Sequence, residues 1–259
     1  MKRSVRRRVV LQLVPWLATA ALLVIWEIVT STASIPSAIF PSPSEVVASF
    51  RRYDSIIAQH ALHTLITSLI GFALALGGGI IIGLATGASQ VVYAAVYPLL
   101  VAFNAIPKVA LLPLFVLWAG IGAMPAILTA FMLAFFPIVV NVATGLATIE
   151  PEMEDVMRAL GASRLEILSK VGIPRATPYL FAAMKVAITL AFVGSVISET
   201  VASNDGIGVL MMAAASRFDV SLVFAGLIVI AIMAVVAYGI CGFFESRVAH
   251  WAFRSRGGG

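Results

Sequence analysis

The stretch LHTLITSLIGFALALGGGIIIGLATG, residues 62–87, reads as a membrane-crossing helix and decides the fold class. It holds no Lys, Arg, Asp or Glu, and it exceeds the roughly 20 apolar residues that cross about 30 Å of hydrocarbon. Gly79, Gly83 and Gly87 recur every fourth residue within it, so they share one helix face and admit close backbone contact with a neighbouring helix or another chain. Apolar windows of the same kind lie at 10–32, 96–119, 123–147, 177–199 and 222–244, separated by Pro, Gly and charge. The expectation is an all-α membrane protein of about six transmembrane helices, with the membrane domain over 10–247 between short segments 1–9 and 248–259.

Composition supports this reading and excludes others. Hydrophobic residues make up 61% of the chain and charged residues 11%, against roughly 25% charged in soluble domains. The net charge of +5 does not point to nucleic acid, because the basic residues flank apolar runs, where membrane lipid headgroups and topology account for them. Cys241 is the single cysteine, which rules out a disulfide within the chain and a cysteine metal cluster. His60 and His63 lack the partners of a metal site, and no metal is expected. The basic N-terminus followed by an apolar run looks like a secretory signal, but the run is long enough to span and no small-residue cleavage site follows, so it reads as a retained first helix.

Charge sets the expected orientation. With the N-terminus in the cytoplasm, the inner segments hold 12 of the 17 basic residues: Lys2, Arg3, Arg6, Arg7, Arg8, Arg158, Arg164, Lys170, Arg175, Arg247, Arg254 and Arg256. The outer segments hold 3, Arg51, Arg52 and Arg217, and such a bias satisfies the positive-inside rule with both termini cytoplasmic. The connection around Ala88 to Ala95 carries no basic residue. The segment Phe40 to Glu45 begins extended and proline-rich, and Ser44 is expected to cap a short outer helix running into Val46, Val47 and Phe50.

The longest inner connection, 150–175, is organised as a helical hairpin. Pro151 suits a first helical turn, Glu150, Glu152, Glu154 and Asp155 favour its positive end, and Met153, Val156, Met157 and Leu160 form one apolar stripe. Gly161-Ala162-Ser163 breaks this helix, leaving a small residue at the bend where another protein can approach closely. Ser163 with Glu166 makes a capping box for a second short helix that Gly172 and Pro174 are expected to stop. An apolar stripe on a charged helix needs a partner; the plain alternative is an ordinary surface hairpin.

Asp155-Val156-Met157, three residues, Gly161, nine residues, then Val171-Gly172-Ile173-Pro174 resembles the EAA loop of bacterial ATP-binding-cassette importer permeases, with the same spacing throughout. It departs from that pattern at Asp155 for Glu and at Val156-Met157 for the two alanines. Phe40 to Val46, Ile106 to Leu114, Trp118 to Gly122 and Leu160 to Arg164 look like the nitrate, sulfonate, taurine and pyrimidine-precursor branch of that family. The resemblance implies a type I importer in the bacterial inner membrane: two permeases, here expected as a homodimer, two ATPases and a periplasmic or lipid-anchored solute-binding protein. The coupling residues it implies are Asp155, Met157, Leu160, Gly161, Ala162, Ser163, Arg164 and Pro174. ATP and magnesium would be bound by the partner ATPase, and no cofactor by this chain. The absence of G-x-x-x-x-G-K-[ST] agrees with that division of labour.

Residues for the solute path are less determined. Pro98, Pro107 and Pro113 should kink or interrupt the third span, and discontinuous helices often border a transport path. Lys108 either attracts an anionic solute or snorkels or pairs with a carboxylate. Ser195 and Glu199, with Ser198, Thr200, Ser203 and Asn204, end the fifth span in a polar cluster before the turn Gly206-Ile207-Gly208 and an outer helix. That cluster reads as a gate or as interfacial capping; Glu27 and Lys185 read as interfacial. The expected solute is a small organic or inorganic anion such as a sulfonate, taurine or nitrate, the alternative an aromatic carboxylate or a vitamin-precursor pyrimidine. A secondary transporter would show buried coupling carboxylates or inverted repeats, and a membrane enzyme convergent catalytic groups; neither pattern is evident.

Overall fold

The computed structural model describes residues 2–33, 35–87 and 89–249, the side chains of 2–13, 90 and 151 excepted. Met1, Ser34, Ala88 and residues 250–259, which hold most of the expected C-terminal segment and its glycine tail, lie outside the described residues. In chain order the elements are α1 (Lys2–Thr32), α2 (Pro43–Arg52), α3 (Asp54–Gly87), α4 (Gln90–Ala105), a 3₁₀ turn (Lys108–Leu111), α5 (Leu112–Ala119) and α6 (Ala123–Ala147). There follow α7 (Pro151–Ala159), α8 (Arg164–Ile167), a π turn (Leu168–Gly172), α9 (Ile173–Ala202), α10 (Ile207–Ser216) and α11 (Val220–Val248).

Among the described residues, five stretches are long and apolar enough to cross a membrane: Val14–Thr32, Asp54–Gly87, Ala123–Ala147, Arg164–Ala202 and Val220–Val248. The pair Val91–Ala105 and Lys108–Ala119, bent by 75°, makes a sixth, broken span. Several helices overrun the expected windows, α3 beginning at Asp54 rather than 62, because a backbone leaving hydrocarbon still satisfies its N–H and C=O groups most cheaply by staying helical. The connection placed at 88–95 shrinks to its first residues, since α4 starts at Gln90.

The break in the third span falls at one of its three prolines. Ile106 is extended (φ −66°, ψ 125°), as a residue before proline prefers, and Pro107 has no N–H to continue the α4 ladder. Pro98 lies inside α4, and Pro113 occupies the first turn of α5, where its missing N–H is no loss.

The chain divides into two compact units. In the unit formed by residues 1–59 and 210–229, α2 is capped by Ser42 and not by Ser44: the Ser42 hydroxyl accepts from the Glu45 N–H, and the Glu45 carboxylate accepts from the Ser42 N–H at 2.8 Å. Pro43 is the reason, for its fixed φ suits the first helical turn and moves the cap to the residue before it. Ser44 instead donates its N–H and hydroxyl to Glu27 at 3.0 and 2.7 Å. Trp26 packs its ring against Phe40 and Phe224 and donates Nε1–H to the Pro41 carbonyl at 3.0 Å.

In the unit formed by 60–209 and 230–259, α3, α6 and α9 build the core. Ala75, Ala130, Ala134, Ile138, Val142, Ala183, Ala187 and Ala191 are fully buried there, and the six alanines let helices approach where lipid supplies no hydrophobic drive to association. Gly79, Gly83 and Gly87 of α3 face Ile138, Val142 and Leu146 of α6, one ridge of every fourth residue set against another. A Cβ on Gly79 or Gly83 would lie 2.7 Å from Ile138 or Val142, and one on Gly87 2.8 Å from Leu146. The glycine face is therefore filled by the chain's own α6.

Candidate functional site

The hairpin at 150–175 starts with Glu150 as N-cap and Pro151 in the first turn of α7, with Glu152 and Glu154 toward the positive end and Arg158 in the last turn. The first helix ends in a Schellman motif: the Ala162 N–H reaches the Met157 carbonyl at 3.0 Å and the Gly161 N–H the Arg158 carbonyl at 2.9 Å. Gly161 adopts φ +84°, a left-handed conformation that residues with a Cβ resist, and among the described residues, its two chain neighbours aside, nothing lies within 4 Å of where a Cβ would stand. Ser163 then caps α8 in a full capping box with Glu166, as its spacing predicts.

The second arm does not stop at Gly172 and Pro174. It passes through the π turn Leu168–Gly172 straight into α9, so that Arg164–Ala202 forms one continuous rod. Pro174 sits in the first turn after the π turn, where widened winding removes the need for its N–H. Gly172 is buried against Leu146, Leu168 and Ile149, where a Cβ would press on their methyl groups at 3.0–3.4 Å. The Arg175 guanidinium donates to Glu150 at 3.1 Å and closes the base of the hairpin; as an exposed pair it sets geometry more than stability.

Among the described residues, most of the apolar stripe of α7 is uncovered. Met153, Val156 and Leu160 are 41%, 59% and 78% exposed, and Leu165 on the second arm adds 77%. Asp155, Ser163, Arg164 and Pro174 are exposed as well, while Met157 and Ala162 are half-buried. The hairpin thus presents exposed apolar side chains on both of its arms.

Glu199 is buried at 1% exposure and caps not the end of α9 but the start of α10. Its Oε2 accepts from the Gly208 N–H at 3.1 Å and from the Thr64 hydroxyl at 2.8 Å, and its Oε1 from Ser195 at 3.3 Å. The Thr64 Oγ1 accepts from the Ile207 N–H at 2.8 Å, and the His60 Nδ1 from the Gly206 N–H at 2.9 Å. Thr67 joins Ser195 at 2.6 Å, and His63 Nδ1 stands 3.6 Å from the carboxyl group. Gly206 lies at φ +114°, and a Cβ there would overlap the Glu199 carboxyl group. Sequence reasoning does not single out His60 and Thr64 for this role; their i, i+4 spacing in an apolar helix is the available signal.

Lys108 is almost fully buried and donates Nζ–H to the Asn104 carbonyl at 2.8 Å and to the Asn104 side-chain oxygen, with its ammonium 5.7 Å above the centre of the Phe136 ring. It thereby covers a carbonyl that α4 leaves free at the break, and a cation there complements the negative end of the helix. Lys185 of α9 pairs with Glu245 of α11 at 2.6 Å, a contact between spans where the sequence predicts an interfacial lysine. Among the described residues no group of His, Cys, Asp and Glu can hold a metal ion.

Similarity to known proteins agrees with this architecture. Residues 75–250 match the family described as binding-protein-dependent transport system inner membrane component. The formylaminopyrimidine transport permease ThiX of Halalkalibacterium halodurans is 31% identical over 97% of this chain and 98% of its own. The riboflavin transport permease RibX of Chloroflexus aurantiacus is 34% identical over 89% and 87%. Relatives named for aliphatic sulfonate, taurine and nitrate transport match at 26–30% identity. In fold, the chain is similar to an inward-facing structure of the MetNI methionine transporter, at a TM-score of 0.67 and 19% identity over 76% of this chain and 98% of that one. The chain belongs to the binding-protein-dependent inner membrane component family and is the permease component of an ATP-binding-cassette importer, with ATP hydrolysis assigned to a separate subunit.

Proposed function

We propose that the hairpin 150–175 is the dock for the ATPase and that the rod Arg164–Ala202 carries the resulting displacement into the membrane domain. The observation that carries this reading is the uncovered stripe Met153, Val156 and Leu160 on a hairpin whose second arm is continuous with a span. Asp155, Met157, Gly161, Ala162, Ser163, Arg164 and Pro174 shape or flank that edge. ATP binding that closes a pair of ATPases would move two such rods, one in each permease of a homodimer, and expose a central path to each side in turn. The charge bias of 12 inner against 3 outer basic residues supports cytoplasmic termini and a cytoplasmic hairpin in the bacterial inner membrane. A solute-binding protein, periplasmic or lipid-anchored, would deliver the cargo.

For the cargo we infer a small nitrogen heterocycle ahead of a sulfonate, taurine or nitrate anion. Lys185 of α9 is paired with the Glu245 carboxylate at 2.6 Å, so its charge is already matched and is not set out for an anion. Relatives named for formylaminopyrimidine and riboflavin, at 31% and 34% identity over nearly the whole chain, support the same choice. Replacing Leu160 with Asp tests the dock. Losing one buried leucine is worth about 1.5–3 kcal/mol, so affinity for the ATPase should fall roughly ten- to hundredfold while the thermal stability of the isolated permease holds. Unchanged assembly would refute the dock. Titrating the cognate binding protein with formylaminopyrimidine and with taurine tests the cargo.

A further inference from the structure

The polar knot around Glu199 does more than close a turn. Three successive N–H groups at the start of α10, those of Gly206, Ile207 and Gly208, would be left unpaired by helix geometry, and each is taken by a different side chain. Two of those side chains, His60 and Thr64, belong to α3, and the third, Glu199, to α9. The Thr64 hydroxyl, which accepts from Ile207, also donates to Glu199, so the acceptors are linked to one another. Breaking the knot away from water leaves several polar groups unpaired at once, at a cost that grows with each.

We propose that Glu199 is a positioning residue, a latch that makes the first turn of α10 travel with α9. The rod that ends at this latch begins at the hairpin: 39 residues run from Arg164 to Ala202, roughly 58 Å at the α-helical rise. Displacement at the hairpin is passed through this latch to the first turn of α10. Two glycines are built for it, since a Cβ on Gly206 would overlap the Glu199 carboxyl group and one on Gly208 would sit 2.6 Å from the Val196 carbonyl. The proposal rests on the hairpin being the ATPase dock and adds the element at the far end that responds.

The test uses the full complex of permease, ATPase and binding protein in liposomes, with Cys241→Ser removing the native thiol. A reporter Met212→Cys in α10, at a position 53% exposed, is labelled with a maleimide with and without a non-hydrolysed ATP analogue. The parent complex should change its labelling rate about tenfold on nucleotide binding, within the usual range of coupling between sites. Glu199→Leu should bring that ratio close to one, whereas Glu199→Gln, which keeps an oxygen to accept from Gly208, should preserve it. A Glu199→Leu complex that retains the full nucleotide response overturns the latch. Should Glu199→Leu fail to assemble, Thr64→Val is read in its place: a reduced response supports the latch and an undiminished one overturns it. Cross-linking of Leu160→Cys to the ATPase is run in parallel. A cross-link with an intact response in Glu199→Leu refutes the latch alone, and no cross-link in the parent refutes the dock and the latch together.

Discussion

Replacing Gly161 separates two reasons for a glycine at the bend of the hairpin. The residue holds φ +84° in the Schellman motif that ends α7, and among the described residues, its two chain neighbours aside, no atom lies within 4 Å of the point a methyl group would occupy. An alanine there meets no clash but must adopt a left-handed conformation, costing about 1–2 kcal/mol. If that strain tips the bend out of its docking shape, the population able to engage the ATPase falls about five- to thirtyfold. Asparagine is larger than alanine yet visits this conformation more readily. The order of binding-protein-stimulated ATP hydrolysis should therefore be Gly161, then Gly161→Asn, then Gly161→Ala, with Gly161→Trp lowest because it also obstructs a docked partner. An order that follows side-chain size alone, with asparagine below alanine, would refute the conformational reasoning and leave close approach by the ATPase as the cause.

Ser163→Ala removes one half of the capping box and should cost about 1 kcal/mol of local stability, read as weaker stimulated hydrolysis with normal membrane insertion. Gly83→Ala drives a methyl to 2.7 Å from Val142 and should destabilise the α3–α6 contact by about 1–3 kcal/mol; pairing it with Val142→Ala should recover part of the lost Tm in detergent. Lys185→Ala leaves Glu245 without its partner and should destabilise by about 3 kcal/mol, while Lys185→Met with Glu245→Leu should melt near the parent.

Much of this molecule is legible in its sequence, for reasons that differ by element. The spans follow from length and apolarity alone, and the hairpin from local capping chemistry at Ser163 and Gly161, which acts within a few residues. Ser44 passes for a cap because the serines at 42 and 44 offer the same chemistry, and only the fit of Pro43 to a first turn decides between them. Gly172 and Pro174 read as a stop because sequence rules assume α winding, whereas a π turn carries the helix past both. The role of Glu199 is hidden for another reason: its partner Thr64 meets it only through the packing of α3 on α9, across 135 positions, and Gly208 only through the turn that folds α10 back onto the end of α9. The same holds for Lys185 and Glu245, whose pairing no local pattern announces.

The π turn at Leu168–Gly172 has a bearing on how the hairpin is aimed. Removing a residue from a regular α helix rotates everything beyond it by about 100°, which would swing the apolar edge of the hairpin away from its target. A wide turn already stores one surplus residue, so a deletion there is absorbed by winding back to α without altering the azimuth of either end. Leu168–Gly172 is thus the place along the rod where chain length can drift while the bearing of its tip is kept.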